Sequence, residues 1–566
     1  MTEMPKTSPA AQEYPWLKSY HKDVRWDLTP EPYPIHDLMD RAKEKFSDKI
    51  CISFLGKDFK YSEICDLVDR AAKGLQQIGV GTGSKVGLMF PNTPAHVIFY
   101  FAILKAGGIV VNYNPLYTLP ELEYQIKDSG TELMITHDLK LMFNPVETLL
   151  EKGVLSRALI VPFSTFLSPV KSLLFSIAKK KELGNIKGSG QREKIHLYKD
   201  VINNDGRYQP VPVDVNKDVA VLQYTGGTTG KPKGAMLSHA NLSYNVDQAV
   251  HWYVDGVPGE EKIMTILPLF HVFGMTGIMN MGIAFGAELI LVPKFDPGEC
   301  AKLIHTKRPT LMPGVPTIFI AFLNHPKIRN YDLSSLKHCL SGGAPLPVEV
   351  YREFTELSGA NMPEGYGLSE TSPGAVSIPS EGPREGSIGI PISGTVVSIR
   401  SLDDPNIEMP LGERGELCIK GPQVMLGYWN KPEATAEVMV GDFFRTGDVG
   451  YMDEDGYLYI VDRIKDMILC SGYNVYPRQI EEAIYEHPAV EEVTVIGIPN
   501  QYRGEAPKAF VKLRDGQSVS SDEMKEFLKE RLSKIEMPEE IEFRDELPKT
   551  MVGKLSKKEL RAEAVG

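Results

Sequence analysis

From residue 50 to about 400, short β-rich runs alternate with stretches of helical period. Lys85–Met89 predicts a strand, and a helix follows that runs to Lys105. Ile109–Asn112 predicts another strand, followed by a helix near Leu119–Asp128. Such alternation points to an α/β architecture of parallel sheets flanked by helices. Residues 1–45 read as an extended arm leading into a first helix around Ile35–Phe46. From about residue 386 the texture changes to glycine-punctuated β segments (VVSIRSL, GELCIKG, GYLYIVDR), the mark of a small β subdomain. After Asp462 the chain becomes strongly charged. Helical and strand patterns alternate over Arg478–Glu486, Val490–Ile498, Lys508–Leu513 and Ser521–Leu532. We expect a large N-terminal unit over 1–461 and a small α/β unit over 462–566, with the boundary at Asp462–Lys465.

The most apolar window, Val97–Val111, is interrupted by Lys105, Gly107 and Gly108, so it predicts a buried helix turning into a strand rather than a membrane span. A second apolar pattern is of another kind. Within Phe166–Lys181, Val170, Leu173, Leu174 and Ile177 fall at i, i+3, i+4 and i+7, and Lys179, Lys180 and Lys181 follow. That spacing predicts a basic amphipathic helix, suited either to an anionic membrane surface or to packing on its own domain.

With 566 residues the chain exceeds a single core. A net charge of −12 argues against general nucleic-acid binding. The six cysteines (51, 65, 300, 339, 418, 470) are scattered without metal-ligand spacing, which suits a reducing compartment better than a disulfide framework. The first thirty residues are polar, so no secretory signal is expected, and a cytoplasmic location follows.

Candidate chemistry concentrates in Tyr224–Gly234, YTGGTTGKPKG. Eleven residues hold four glycines, three threonines and two lysines. Close-approaching backbone N–H groups, hydroxyls and cations are what a polyphosphate needs. The apolar run before it predicts a strand, and Ser238–Leu242 predicts a capped helix start, so the loop reads as a strand-to-helix connection. It is not a Walker loop: Gly226 to Gly230 is one residue short, and Pro232, which cannot ligate Mg²⁺, follows Lys231.

Here the sequence resembles the adenylate-forming superfamily of acyl-CoA synthetases, aryl-CoA ligases, luciferases and nonribosomal adenylation domains. LPLFHVFGM (Leu267–Met275), SGGAPL (Ser341–Leu346), EGYGLSE (Glu364–Glu370), GERGELCIKGPQVMLGYWN (Gly412–Asn430), RTGD (Arg445–Asp448), DRIKDMILCSGYNVYP (Asp462–Pro477) and PKTMVGK (Pro548–Lys554) continue the likeness in the family's order. PWLKSY at Pro15–Tyr20 and the 166–181 stretch resemble bacterial long-chain fatty acyl-CoA synthetases. The resemblance implies a two-step reaction. A fatty acid attacks the α-phosphorus of ATP to give acyl-adenylate and pyrophosphate, and CoA then takes the acyl group and releases AMP.

The resemblance also implies roles. Thr225, Gly226, Gly227, Thr228, Thr229 and Gly230, with Lys231 and Lys233, would cradle the β/γ-phosphates. Glu370 would ligate Mg²⁺, and Ser369 would bond the α-phosphate. Tyr366, between Gly365 and Gly367 and after Glu364, would stack on adenine, with Gly343 and Ala344 contacting the base. Asp448 would take the ribose hydroxyls, supported by Arg463. His271 would sit at the carboxylate, and Lys554 would bridge carboxylate and α-phosphate. Lys465 would be a hinge, about which Gly472 swings in to line the pantetheine channel. By composition alone, Lys554 is one of a cluster with Lys549, Lys557 and Lys558, and His271 is a lone polar ring in an apolar stretch. Medium-chain and 4-coumarate-type ligases remain alternatives, as do a luciferase-like oxygenase and a silent acyl-binding protein. An adenylation domain that loads a carrier protein is the less expected reading. Oligomeric state is open, a homodimer being one alternative.

Overall fold

A computed structural model describes residues 14–225, 231–379, 384–471, 473–500, 502–550 and 553–565. The largest sheet has seven strands in the order Ile195–Leu197, Arg157–Val161, Leu133–His137, Lys85–Met89, Ile109–Asn112, Val219–Thr225 and Lys233–Ser238. The first six are parallel. Runs such as IVVN and LMITH are buried at every position, as strands covered on both faces must be. The helix Pro94–Lys105 is buried over all twelve residues and leads into the strand Ile109–Asn112. The apolar window is therefore a core helix, and no helix among the described residues is long and apolar enough to cross a membrane.

A second sheet runs Lys262–Thr265, Glu288–Leu291, Ile50–Phe54 and Lys57–Lys60. Parallel bridges Ile263↔Leu311, Leu311↔His338 and His338↔Asn361 extend it towards a third sheet containing Ser341–Gly342 and Glu364–Gly367. The glycine-punctuated region forms a five-stranded antiparallel sheet that includes Val396–Arg400, Gly415–Lys420, Phe443–Met452 and Leu458–Arg463. The chain then crosses a short turn, Ile464–Asp466, into a last sheet built from Ile468–Cys470, Tyr473–Val475, Val490–Asn500, Gly504–Leu513 and Glu540–Phe543. That sheet has its own core of Ile480, Ile484, Val493, Val495, Val511 and Leu528. The architecture is thus a large N-terminal α/β part followed by a smaller C-terminal α/β part.

One local expectation is corrected. The glycine-rich segment does not join a strand to a helix. Its flanks, Val219–Thr225 and Lys233–Ser238, are paired antiparallel, with Thr225 opposite Lys233. The helix His239–Trp252 begins only afterwards, capped by Ser238, whose Oγ accepts from the Asn241 N–H at 3.1 Å. The second strand exists because both its edges find partners. Beyond the hairpin it meets the 424–429 segment, where Met236 N–H donates to Gly427 O and Trp429 N–H to Gly234 O. Those partners lie almost 200 residues away, so no local pattern announces them.

Lys105, the polar break in the apolar window, is itself buried. Its ammonium donates to Asp40 at 2.6 Å and Asp69 at 2.7 Å, carboxylates from the helices Asp37–Phe46 and Tyr61–Gln77. These partners outweigh burial and raise its pKa. Replacing Lys105 by Met leaves two carboxylates facing each other, so the expected cost is about 3–5 kcal/mol. Adding Asp40→Asn and Asp69→Asn to Lys105→Met should recover much of it. Denaturant unfolding of the three proteins checks this, and equal stability of wild type and Lys105→Met would refute it.

Candidate active site

A cavity of about 1080 Å³ opens where the third sheet, the five-stranded sheet and the C-terminal part converge. Thr225, Lys231 and Lys233 reach it from the hairpin, His271 from the turn before Val272–Gly274, and Lys554 from the C-terminal part. Gly343, Gly365, Tyr366, Gly367, Ser369, Glu370, Arg463 and Lys465 also line it. Residues more than 300 apart in sequence thus meet around one space. Gly226, Gly227, Thr228, Thr229, Gly230 and Gly472 lie outside the described residues.

The carboxylates are few and held. Glu370 is buried, and burial raises its pKa. The Tyr428 hydroxyl donates to its Oε1 at 2.7 Å, and the Met425 N–H donates to its backbone oxygen. The Tyr428 ring also carries Lys233 Nζ over its face, 4.9 Å from the centroid. One side chain therefore ties the carboxylate to Lys233 of the glycine-rich segment. Sequence reasoning missed Tyr428; its place in GYWN, at the end of the Gly412–Asn430 motif, was the available signal. Ser369 opens the 3₁₀ turn Ser369–Thr371, whose cap is Leu368, so Ser369 is a cavity residue and not a helix cap.

Asp448 stands behind the wall rather than in it. Its Oδ2 accepts from the Tyr366 hydroxyl at 2.6 Å and its Oδ1 from Arg463 Nε at 2.8 Å. A carboxylate has about four acceptor positions, so two remain for a ligand's hydroxyls. Gly367 has no alternative: a Cβ there would come 1.8 Å from Pro373 O. Ala344 and Glu364 are adjacent to the cavity without lining it. The Glu364 carboxylate accepts from the Leu346 N–H at 3.3 Å, which braces the loop that carries Gly343, and burial pushes its pKa up to about 7.

The cations are under-compensated. Burial first, and then the neighbouring Arg463 guanidinium, lowers Lys554 to about 8 and also depresses Lys465. Lys554 lies against Gly343, its Nζ 3.0 Å from where a Cβ would be. The backbone on either side is pinned: the Thr317 hydroxyl donates to Gly553 O at 2.6 Å, and Lys554 N–H to Thr550 Oγ1 at 3.1 Å. Its sequence neighbours go elsewhere, Lys549 to Glu492 at 2.6 Å and Lys557 to Glu481 at 2.9 Å. His271 Nδ1 accepts from the Phe273 N–H at 3.3 Å. Burial and the Lys554 cation lower its pKa to about 3, so the ring is neutral and its proton sits on Nε2. It can donate to an anion but is a poor base. An open space rimmed by Lys231, Lys233, Arg463, Lys465 and Lys554, with a neutral imidazole donor and two buried carboxylates, Glu370 and the Arg445-paired Glu416, is built for a polyanion.

The described residues contain no group of three or more His, Cys, Asp or Glu side chains that would hold a metal unaided. Glu370 nevertheless fits a divalent cation: it is a hard oxygen ligand at the wall whose ionised form is disfavoured by burial and would be restored by a cation. No described residue from 466 to 475 lines the cavity, and Leu469 and Tyr473, which flank Gly472 in sequence, are more than half exposed.

Comparison with known proteins agrees with this geometry. The AMP-binding enzyme profile matches residues 39–429, and the AMP-binding enzyme C-terminal domain matches 479–554. A long-chain-fatty-acid–CoA ligase of Bacillus subtilis is 43% identical over 97% of this chain and 98% of its own length. One from Escherichia coli is 38% identical over the same shares. The crystal structure of ATP-bound MatB from Rhodopseudomonas palustris superimposes with a TM-score of 0.80 at 28% identity, covering 93% of this chain and 98% of that one. The chain therefore belongs to the AMP-binding enzymes of the adenylate-forming superfamily, as an AMP-forming acid–thiol ligase.

Proposed function

We propose that the protein is a long-chain fatty acid–CoA ligase that works in two half-reactions at this one cavity. The observation that carries the reading is the placement of Lys554 beside Gly343, buried and facing the Arg463 guanidinium, whose Asp448 partner offsets only part of the charge. A carboxylate must approach the α-phosphate of ATP, and two anions meet only where positive charge and donors are already in place. Lys554 bridges the two, His271 Nε2–H steadies the carboxylate, and Ser369 with Thr225, Lys231 and Lys233 holds phosphate oxygens. Tyr366 packs on adenine and Asp448 takes the ribose. Glu370, positioned by Tyr428, holds Mg²⁺, whose part is to offset charge on the departing pyrophosphate.

In the second half-reaction the CoA thiol attacks the acyl carbonyl and AMP leaves. Lys554 then has no bond left to assist. We place the pivot at Lys465, in the turn between the last two sheets, so that the hairpin carrying Gly472 replaces Lys554 at the cavity. The exposure of that hairpin while Lys554 is docked supports the exchange.

We also assign the helix Pro169–Ala178 to the surface of an anionic membrane, on the cytoplasmic side. No residue of this helix is buried. Val170, Leu173, Leu174 and Ile177 are 69%, 64%, 59% and 69% exposed, so the apolar stripe faces away from the protein. The opposite side is anchored, Phe175 on Phe163 with centroids 5.2 Å apart and Lys171 Nζ donating to Leu55 O at 2.7 Å. An outward apolar stripe followed by Lys179, Lys180 and Lys181 suits a substrate dissolved in lipid.

Lys554→Ala should nearly abolish fatty-acid-dependent ATP–pyrophosphate exchange while sparing thioester formation from preformed acyl-adenylate. Equal loss in both would overturn the assignment. Because free Lys554 titrates near 8, kcat/KM for the exchange should fall as pH rises through that value. Lys554→Arg, always charged, should move that limb upward whatever its absolute rate.

For the membrane, binding to anionic vesicles should weaken with salt. Changing Lys179, Lys180 and Lys181 to Glu should release the protein, each lysine contributing about 1 kcal/mol before screening. Turnover of a short soluble acid should persist. Vesicle binding indifferent to salt and to these changes would remove the helix from the membrane.

A further inference from the structure

The cavity has a second lobe that the nucleotide chemistry does not use. It runs between the helix His239–Trp252 and the strands behind Gly342. On the helix, Asn245, Ala249 and Trp252 fall at i, i+4 and i+7 and all line it. On the sheet side, Gly342, Leu340 and His338 alternate onto the same face. The parallel bridges Leu311↔His338 and Gly314↔Ser341 show that the strands keep register along this path. Four residues of extended chain span about 13 Å, so His338 lies about that far from the Lys554 end. With C–C bonds of about 1.5 Å in zigzag, that is room for about ten methylenes.

At the far end stands Tyr253. Its ring meets His338 edge-on, centroids 5.2 Å apart at 89°, and also meets Phe285, centroids 5.5 Å apart. Beyond it is a separate groove of about 440 Å³. Tyr253 and Val254 line both spaces, and no other residue does. Leu28, Pro30, Val250 and Phe285 supply the apolar part of the groove. Two of its polar groups are already engaged: Asp247 accepts from the Tyr33 hydroxyl, and His251 from the Arg25 N–H. Tyr253 and Val254 are each half-buried, as a partition between two spaces should be.

We propose that the acyl channel continues past Tyr253 into this outer groove, so that Tyr253 and Val254 form a gate for the ω-end of a long chain. The inference rests on the fatty-acid reading above and extends it to a second binding subsite. A chain of up to about ten carbons is contained in the inner lobe. A longer one displaces the Tyr253 ring and lays its last methylenes against Leu28, Val250 and Phe285. Each methylene withdrawn from water there favours binding about fourfold. Preference for long over short acids would then originate in the groove, well away from the carboxylate.

Two measurements test this. Val250→Trp fills the groove from the helix side, and Leu28→Trp fills it from the arm. Each should lower kcat/KM for C16 acid at least tenfold more than for C8 acid, and Tyr253→Ala should shift the ratio towards C16. A ratio unchanged in all three variants overturns the gate. Equilibrium photolabelling of the wild type with acids bearing a diazirine at C16 or at C8 needs no turnover. The C16 probe should label the 28–30, 250 and 285 peptides, and the C8 probe the 311 and 340 peptides. Labelling of the inner lobe alone by both probes overturns the gate as well. Failure of every fatty acid to support pyrophosphate exchange would instead sink the ligase reading, so the two failures are told apart.

Discussion

The structure turns on holding cations together without matching anions. Arg463 is balanced by Asp448, but Lys465 and Lys554 sit beside the Arg463 guanidinium, and both are pushed towards their neutral forms. Lys554 belongs to the C-terminal part, so repulsion opposes its docking while the cavity holds no anion. An anion reverses the sign, because it stabilises the ammonium where it stands. Occupancy of the cavity and docking of the C-terminal part are thereby coupled through one electrostatic term. Docking also has hydrogen-bond support, from Thr317 Oγ1 donating to Gly553 O and from Asn324 Nδ2 donating to the Glu491 carboxylate at 3.1 Å. Single polar contacts at or near the surface are individually weak.

Around Lys554 the N-terminal part is tied together across its sheets. Tyr366 joins the third sheet to the five-stranded one through Asp448, and Tyr428 joins the buried carboxylate of Glu370 to the hairpin lysine Lys233. Both tyrosines do two jobs with one side chain, a hydroxyl donor at the tip and an aromatic face along the side. Gly367 lets two backbone segments approach more closely than any side chain would allow.

The apolar features obey a different rule. The helix Pro94–Lys105 is buried throughout and pays for its single lysine with two aspartates. The helix Pro169–Ala178 does the opposite and turns four large apolar residues to the outside. An apolar stripe left exposed costs solubility unless another surface covers it. The first helix makes a core; the second asks for a partner.

The sequence by itself determined the family, the order of elements and the outward-or-inward ambiguity of the 166–181 stripe. Glycine-rich motifs carry their chemistry locally, and hydrophobic period reports whether a segment is helix or strand. It did not determine which lysine of the C-terminal cluster mattered: only the tertiary structure sends Lys549 and Lys557 to glutamates and Lys554 into the cavity. It did not show that Lys233–Ser238 pairs back on Val219–Thr225, because that strand also depends on pairing with residues near 427. Nor did it reveal Tyr428, or the partition at Tyr253, whose ring meets both His338 and Phe285. Period and propensity are properties of neighbours along the chain. A salt bridge, a strand edge or a wall between two cavities depends on where distant segments come to rest, and packing alone decides that.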